Sequence, residues 1–163
     1  LYGGGAAQAK YPPDLLRTES LGLKSGNIPT ALGGGSHRTK FGALMVHEIR
    51  AKFKRVRLLD DLAEFGYTQP DAEVFNYWSP HAPLKTSDPR CKWLLVKHHG
   101  ELMALFCTWN PQDETVEVQI DTEHLGLQPA EAINVETDKK HALNQGAFSF
   151  PMPGYGVRLF HFK

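Results

Sequence analysis

Residues 91–163 are divided by turn residues into short apolar or alternating segments, and this pattern restricts the fold more than any other feature. Residues 92–99 and 101–109 are apolar runs on either side of Gly100, which predicts a β-hairpin. Residues 101–109 are apolar on both faces. A strand with two apolar faces is covered on both sides, so we expect this one to lie at the centre of a sheet.

The segments that follow the hairpin have the two-residue period of half-buried strands. They are residues 114–121, in which Val116, Val118 and Ile120 should face inward, residues 132–136, residues 148–152 and residues 157–162. Five or six short antiparallel strands that follow one another closely along the chain predict a β-sandwich. The fold class that we expect is therefore mainly β.

The first part of the chain has a different pattern. Residues 43–49 form a continuous apolar run that suits a strand buried on both faces, and residues 56–66 have helical spacing with Gly66 as a stop. Strand followed by helix predicts the last unit of an α/β barrel, although 163 residues are too few for a complete (β/α)₈ barrel of roughly 250. We predict a barrel-end fragment over residues 1–66, a packed connector over 67–90 and the sandwich over 91–163.

The two cysteines, Cys91 and Cys107, are too few for a disulfide framework and lack zinc-finger spacing. With Gly100 taken as the pivot of the hairpin, they should share one face of the sheet and lie diagonally. Both have apolar neighbours, so we expect buried thiols rather than a disulfide. The cysteines therefore do not indicate a cellular compartment, and a secreted or periplasmic location is one alternative.

The net charge and the lengths of the apolar runs limit which classes of partner we expect. The formal net charge is zero, and no apolar run is long enough to cross a membrane. Residues 1–60 nevertheless carry ten Lys or Arg and four Asp or Glu, and residues 50–57 hold a basic cluster. Such a cluster can follow a phosphate backbone, but a solvated helix face is the more common outcome. We expect no membrane partner and keep nucleic-acid binding only as a third alternative.

Four residues are candidates for chemistry. His47 and Glu48 end the apolar run of residues 43–49, and the ends of parallel strands face the ligand cleft of α/β folds. A carboxylate in such a cleft can act as a general acid or base or bind a sugar hydroxyl, so we predict these two residues as catalytic, although no second carboxylate is evident beside them. Trp78, beside His81 in the connector, is the tryptophan that we expect to contact a ligand.

The histidines give no metal signal in the sequence. His98 and His99 are adjacent, but no Asp, Glu or Cys lies at ligand spacing from them. We therefore predict no metal site and no cofactor.

Several motifs follow one another in a familiar order. They are Ser87-Asp88-Pro89-Arg90, Leu94-Leu95-Val96, Met103-Ala104-Leu105-Phe106, Trp109-Asn110-Pro111, Val116-Glu117-Val118, His124-Leu125-Gly126-Leu127 and the closing residues 152–159. This order resembles the C-terminal β-sandwich of large glycoside hydrolases. Upstream, residues 21–30 and Val46-His47-Glu48 look like the last barrel units of the same enzymes.

The resemblance implies that the chain is the C-terminal part of a glycoside hydrolase that acts on carbohydrate. It also implies a catalytic barrel, supplied by a segment that precedes residue 1 or by another polypeptide, with the sandwich as its support. The first alternative is a non-catalytic carbohydrate- or protein-binding β-sandwich. The other is nucleic-acid binding through residues 50–57.

Overall fold

The computed structural model describes residues 12–14, 16–17, 37–49 and 56–163, which form helices packed on a two-sheet sandwich. The named helices are α1 His37–Met45, α2 Arg57–Phe65 and α3 Thr122–Leu125. The strands are β1 Glu73–Asn76, β2 Leu84–Thr86, β3 Cys91–His98, β4 Glu101–Thr108, β5 Glu114–Ile120, β6 Glu131–Asn134, β7 Lys140–Ala142, β8 Ala147–Met152 and β9 Val157–Phe162. Of the described helices, none is long and apolar enough to cross a membrane.

The strands form two antiparallel sheets. One has six strands in the order β1-β3-β4-β9-β6-β7, and the other has three in the order β2-β5-β8. Every strand pair is antiparallel. The predicted mainly β, antiparallel sandwich is confirmed.

The six-stranded sheet is covered on both faces, which explains its continuous apolar runs. In β4, Ala104 and Phe106 lie in the core between the two sheets. Leu105 and Cys107 point the other way, into a second core that also contains Phe41 of α1. Because β4 pairs with β3 and β9, it lies inside the sheet, as its two apolar faces predict.

The three-stranded sheet buries only one face, so its strands alternate. Residues 114–120 of β5 expose Thr115, Glu117 and Gln119 and bury Val116, Val118 and Ile120, and β8 buries Phe148, Phe150 and Met152. The inward residues fill the core between the sheets. The prediction for residues 114–121 and 148–152 is confirmed, because a half-buried strand has the period of two that the sequence shows.

The predicted strand over residues 43–49 is wrong. Residues 43–45 are the last turn of α1, and residues 46–48 form a turn. The helix packs on β4 and β9 so closely that a Cβ on Gly42 would overlap the Val157 side chain. A helix buried on nearly all sides gives the same unbroken apolar run as a buried strand, so periodicity does not distinguish them. The helix predicted over residues 56–66 is confirmed by α2, which ends at Gly66 in the left-handed conformation.

The predicted shared face of Cys91 and Cys107 is also wrong. The hairpin turn has two residues, His99 and Gly100, both with positive φ (49° and 80°). Cys91 therefore pairs with Thr108, whereas Cys107 pairs with Lys92. A register shift of one residue turns side chains to the other face, so the two thiols lie in different cores and do not form a disulfide.

The segment predicted as a connector supplies strands to both sheets. β1 is one edge of the six-stranded sheet, and β2 is an edge of the three-stranded sheet. The domain limits at residues 66 and 90 stay a prediction. Residues 50–55 of the basic cluster and residues 21–30 of the barrel resemblance lie outside the described residues.

Candidate functional site

The turn after α1 brings His47 and Glu48 to one end of the sandwich. The amide of Glu48 donates to the carbonyl of Met45 (2.9 Å), and the amide of Ile49 donates to that of Leu44 (3.0 Å). This is the Schellman pattern that ends many helices, and its left-handed position usually holds glycine. Here it holds Glu48, with φ 54°. A non-glycine residue in this conformation costs roughly 1–2 kcal/mol.

Both ring nitrogens of His47 have partners inside the fold. Nδ1 lies 2.7 Å from the Ala43 carbonyl oxygen, and Nε2 lies 2.9 Å from the hydroxyl of Tyr77. A carbonyl only accepts, so Nδ1 carries the proton and Nε2 accepts from Tyr77. Burial raises the pKa of Tyr77 to about 12, which keeps the hydroxyl protonated as the donor.

Three aromatic rings surround the fully buried His47. Trp78 stacks on it, with ring centroids 5.9 Å apart and planes inclined by 17°. Tyr77 and Trp109 meet it edge-on, at 5.5 and 5.7 Å. We call His47, Tyr77, Trp78 and Trp109 the aromatic cluster. It joins the turn after α1 to the turn after β1 and to the end of β4.

Burial in this cluster lowers the pKa of His47 below its ordinary value of 6.5. Hydrogen bonds to the carbonyls of Ala43 and Pro13 oppose this effect, whereas the positive charges of Lys92 and Arg17 add to it. Lys92 also places its ammonium 4.7 Å from the centre of the Tyr77 ring. His47 is therefore neutral at pH 7 and holds the cluster together by packing and hydrogen bonds.

We expect the protein to lose stability in weak acid because of His47. Near and below pH 6.5 the unfolded chain binds a proton at His47 more readily than the folded chain does, so the free energy of unfolding decreases as the pH is lowered. One such proton contributes a slope of up to about 1.4 kcal/mol per pH unit. Urea denaturation at several pH values between 7.5 and 5 gives the free energy of unfolding, and its change per pH unit should be smaller in His47→Gln than in the wild type. The control is His81→Gln, because His81 is exposed; equal slopes in all three proteins would contradict this prediction.

Glu48 is exposed beside the cluster. Its Oε2 accepts a hydrogen bond of 3.3 Å from the side-chain amide of Asn76. Among the described residues, this is the hydrogen bond that holds its carboxylate, and the side chain is exposed to solvent. Such a group can accept hydrogen bonds from sugar hydroxyls or transfer a proton.

The structure brings three of the four candidate residues together. His47, Glu48 and half-buried Trp78 share one end of the sandwich. His81 instead lines a separate open cleft with Lys85, Asp121 and His124. The roles predicted for all four residues stay predictions.

Sequence reasoning did not connect Tyr77, Asn76 and Trp109 with residues 47 and 48. The aromatic content of residues 75–78 indicates a packed segment, but its partner depends on the pairing of β1 with β3. Tyr77 and Trp78 directly follow the end of β1, so this pairing determines where their side chains lie. No local pattern in the chain contains this contact.

Comparison with known proteins gives a family and a set of structures. A family model described as "Glycoside hydrolase 123, C-terminal domain" matches residues 58–149. No curated protein matches the chain. Solved structures with partial similarity include a β-L-arabinopyranosidase from Geobacillus stearothermophilus, with 13% identity over 47% of this chain and 18% of that chain and a TM-score of 0.39.

Two further structures are similar to the same extent. An α-galactosidase I from Mortierella vinacea has 12% identity over 50% of this chain and 23% of that chain, with a TM-score of 0.39. An α-amylase from Geobacillus thermoleovorans has 6% identity over 47% of this chain and 16% of that chain, with a TM-score of 0.38. The chain thus spans less than a quarter of the length of each of these proteins.

Proposed function

Because this chain belongs to the family of glycoside hydrolase 123 C-terminal domains, we propose that its β-sandwich supports a catalytic barrel that hydrolyses carbohydrate. In this proposal the barrel is formed by a segment before residue 1 or by another polypeptide. The chain provides no evident pair of catalytic carboxylates, and glycoside hydrolysis needs two. The sandwich acts by holding the preceding helices in place.

The aromatic cluster is the observation that carries the supporting role. His47 comes from the helical part of the chain, and its ring is fixed by Tyr77 and Trp109 of the β-rich part. The same core contains Phe41, Leu58 and Leu105, so helices and sheet share one apolar interior. A segment that precedes α1 is therefore attached to the sandwich through a rigid, buried contact.

Glu48 is the residue that we propose for carbohydrate contact at this end of the sandwich. It is exposed, and its position in the Schellman turn would suit glycine better. Residues in unfavourable backbone conformations concentrate at functional sites. Half-buried Trp78 lies in the same cluster and offers an aromatic face for a sugar ring. His47 then acts as a positioning residue, and His81 would contact sugar only through its separate cleft.

Replacing Glu48 by glycine separates the functional from the structural role. We expect Glu48→Gly to raise the free energy of unfolding by about 1 kcal/mol, since glycine removes the left-handed strain. In the gene product that includes the barrel, the same variant should lose at least tenfold in kcat/KM on nitrophenyl glycosides, because the carboxylate is gone. Stability is measured by urea denaturation and activity by nitrophenol release.

The matched control is Asp138→Gly. Asp138 also has a positive φ, 56°, but it lies in the turn between β6 and β7, at the other edge of the sheet from β1. This variant should keep full activity. Unchanged activity in Glu48→Gly would remove Glu48 from the site. A barrel-containing product that hydrolyses no glycoside, or that binds glycan without cleaving it, would contradict the catalytic proposal itself.

A further inference from the structure

A second cluster of polar side chains lies at the tip of the β3–β4 hairpin, at the edge formed by β1. In the pairing of β1 with β3, Glu73 lies opposite Lys97. Asp71 lies in the turn two residues before Glu73, and its carboxylate is close to both His98 and His99. Asp71, His98 and His99, which we call the hairpin-tip cluster, can each offer one ligand atom, and these atoms all lie within 4.8 Å of one another.

The hydrogen bond on the far side of the His98 ring determines which nitrogen is available. Nδ1 lies 2.7 Å from the carbonyl oxygen of Phe65, at the end of α2, and must donate to it. In the neutral ring Nε2 then carries a lone pair. Among the described residues, this buried nitrogen has no hydrogen-bond partner. Metal-binding histidines characteristically donate their other N–H to a carbonyl or carboxylate in this way.

A carboxylate lies beside this nitrogen of His98. Asp71 Oδ1 lies 3.4 Å from His98 Nε2, and Asp71 Oδ2 lies 3.6 Å from His99 Nε2. A carboxylate oxygen and the unprotonated Nε2 of His98 both carry lone pairs, so a cation between them, either a proton or a metal ion, stabilises this contact. Two ligands of a tetrahedral zinc ion with bonds of 2.0–2.1 Å are about 3.3–3.4 Å apart. Both observed spacings are close to this value, so each histidine nitrogen can share an ion with the Asp71 oxygen nearest to it.

Gly66 leaves the space that the His98 ring occupies. A Cβ on Gly66 would overlap that ring, and the positive φ of Gly66, 112°, also favours glycine. His98 is thereby packed against the end of α2, with only 14% of its side chain exposed, whereas Asp71 and His99 are 67% and 72% exposed. One ligand is fixed by the fold and two can close on an ion from the solvent side.

We propose that Asp71, His98 and His99 bind a Zn²⁺ ion, with water completing the coordination. Imidazole nitrogen and carboxylate oxygen are ligands that zinc accepts in protein sites. The ion joins the segment before β1, the hairpin tip and, through His98, the end of α2. This site is independent of the proposed carbohydrate contact.

Calorimetric titration of the tag-free chain with ZnCl₂, in a buffer that does not chelate metal, tests this site. We expect one Zn²⁺ per chain, and Co²⁺ bound in its place should show the visible absorption of a tetrahedral ion. Asp71→Asn and His98→Gln should each weaken Zn²⁺ binding at least tenfold. Zn²⁺ should also raise the Tm of the wild type, because it binds only the folded site, and raise that of Asp71→Asn much less.

His124→Gln is the matched control, because His124 is an exposed histidine outside the cluster. This variant should bind Zn²⁺ as the wild type does. Asp71 is exposed, so Asp71→Asn should fold even if His98→Gln does not. Absence of Zn²⁺ binding in the wild type, or equal affinity in the wild type and Asp71→Asn, would overturn the proposal and leave only an ion pair between Asp71 and protonated histidines.

Discussion

Phe106→Ala is expected to lower the free energy of unfolding by about 3–5 kcal/mol, the cost of removing a buried aromatic side chain and leaving a cavity. Phe106 is fully buried at the centre of β4. Its ring centroid lies 5.1 Å from that of Phe150, on the opposite sheet, and 6.0 Å from that of Phe160, on the neighbouring strand. The variant loses contacts with both sheets, so it weakens the sandwich itself. Urea denaturation at pH 7.5 gives the difference.

Phe75→Ala is the matched control for this cavity. Phe75 lies on the edge strand β1 and is only partly buried, so its removal should cost much less. If Phe106→Ala costs no more than Phe75→Ala, the core between the sheets does not hold the sandwich together. A midpoint and a denaturant slope that both equal those of the wild type would likewise contradict the expected loss of stability.

Apart from β7, which has only three residues, the strands after residue 90 could be predicted because their burial follows local patterns. β5 alternates because only one of its faces packs on the core, and β4 is apolar throughout because both its faces are covered. β1 and β2 could not be predicted in the same way. With four and three residues, they are too short to show a period, and their place is set by pairing with β3 and β5.

The error over residues 43–49 has a physical cause. Residues 41–45 of α1 are all buried, so this half of the helix lacks the polar stripe that marks a surface helix. The high helix propensity of Ala43, Leu44 and Met45 was the remaining signal for a helix. Propensity is a weak guide in a buried segment, but here it agrees with the structure, whereas the strand predicted from the unbroken apolar run does not.

Both candidate sites depend on contacts between residues far apart in the chain. Tyr77 reaches His47 and Asp71 reaches His98 only because β1 pairs with β3. The sequence suggests chemistry at His47 and Glu48 because they end the apolar run of residues 43–49, which predicts a buried strand and proved to be a helix and a turn. It gives no such indication for Asp71, since the register that brings it to the hairpin tip is a property of the folded sheet.

Gly42→Ala is expected to destabilise the protein by about 2–3 kcal/mol, although alanine favours helices more than glycine does. A Cβ at this position would overlap the Val157 side chain and lie 3.2 Å from the Cys107 sulfur. Val157 is fully buried and β-branched, so it has little freedom to move away. The clash should therefore lift α1 from β4 and β9. Urea denaturation measures the loss.

A double-mutant cycle with Val157→Ala identifies the cause. Val157→Ala alone should cost about 2 kcal/mol through its cavity, but it makes room for the new methyl group. We therefore expect the double variant to be more stable than the sum of the two single losses implies, by at least about 1 kcal/mol. Additive losses would mean that Gly42 does not set the distance between α1 and the sheet. Coupled losses would show that the missing Cβ at Gly42 sets how closely α1 packs on β4 and β9.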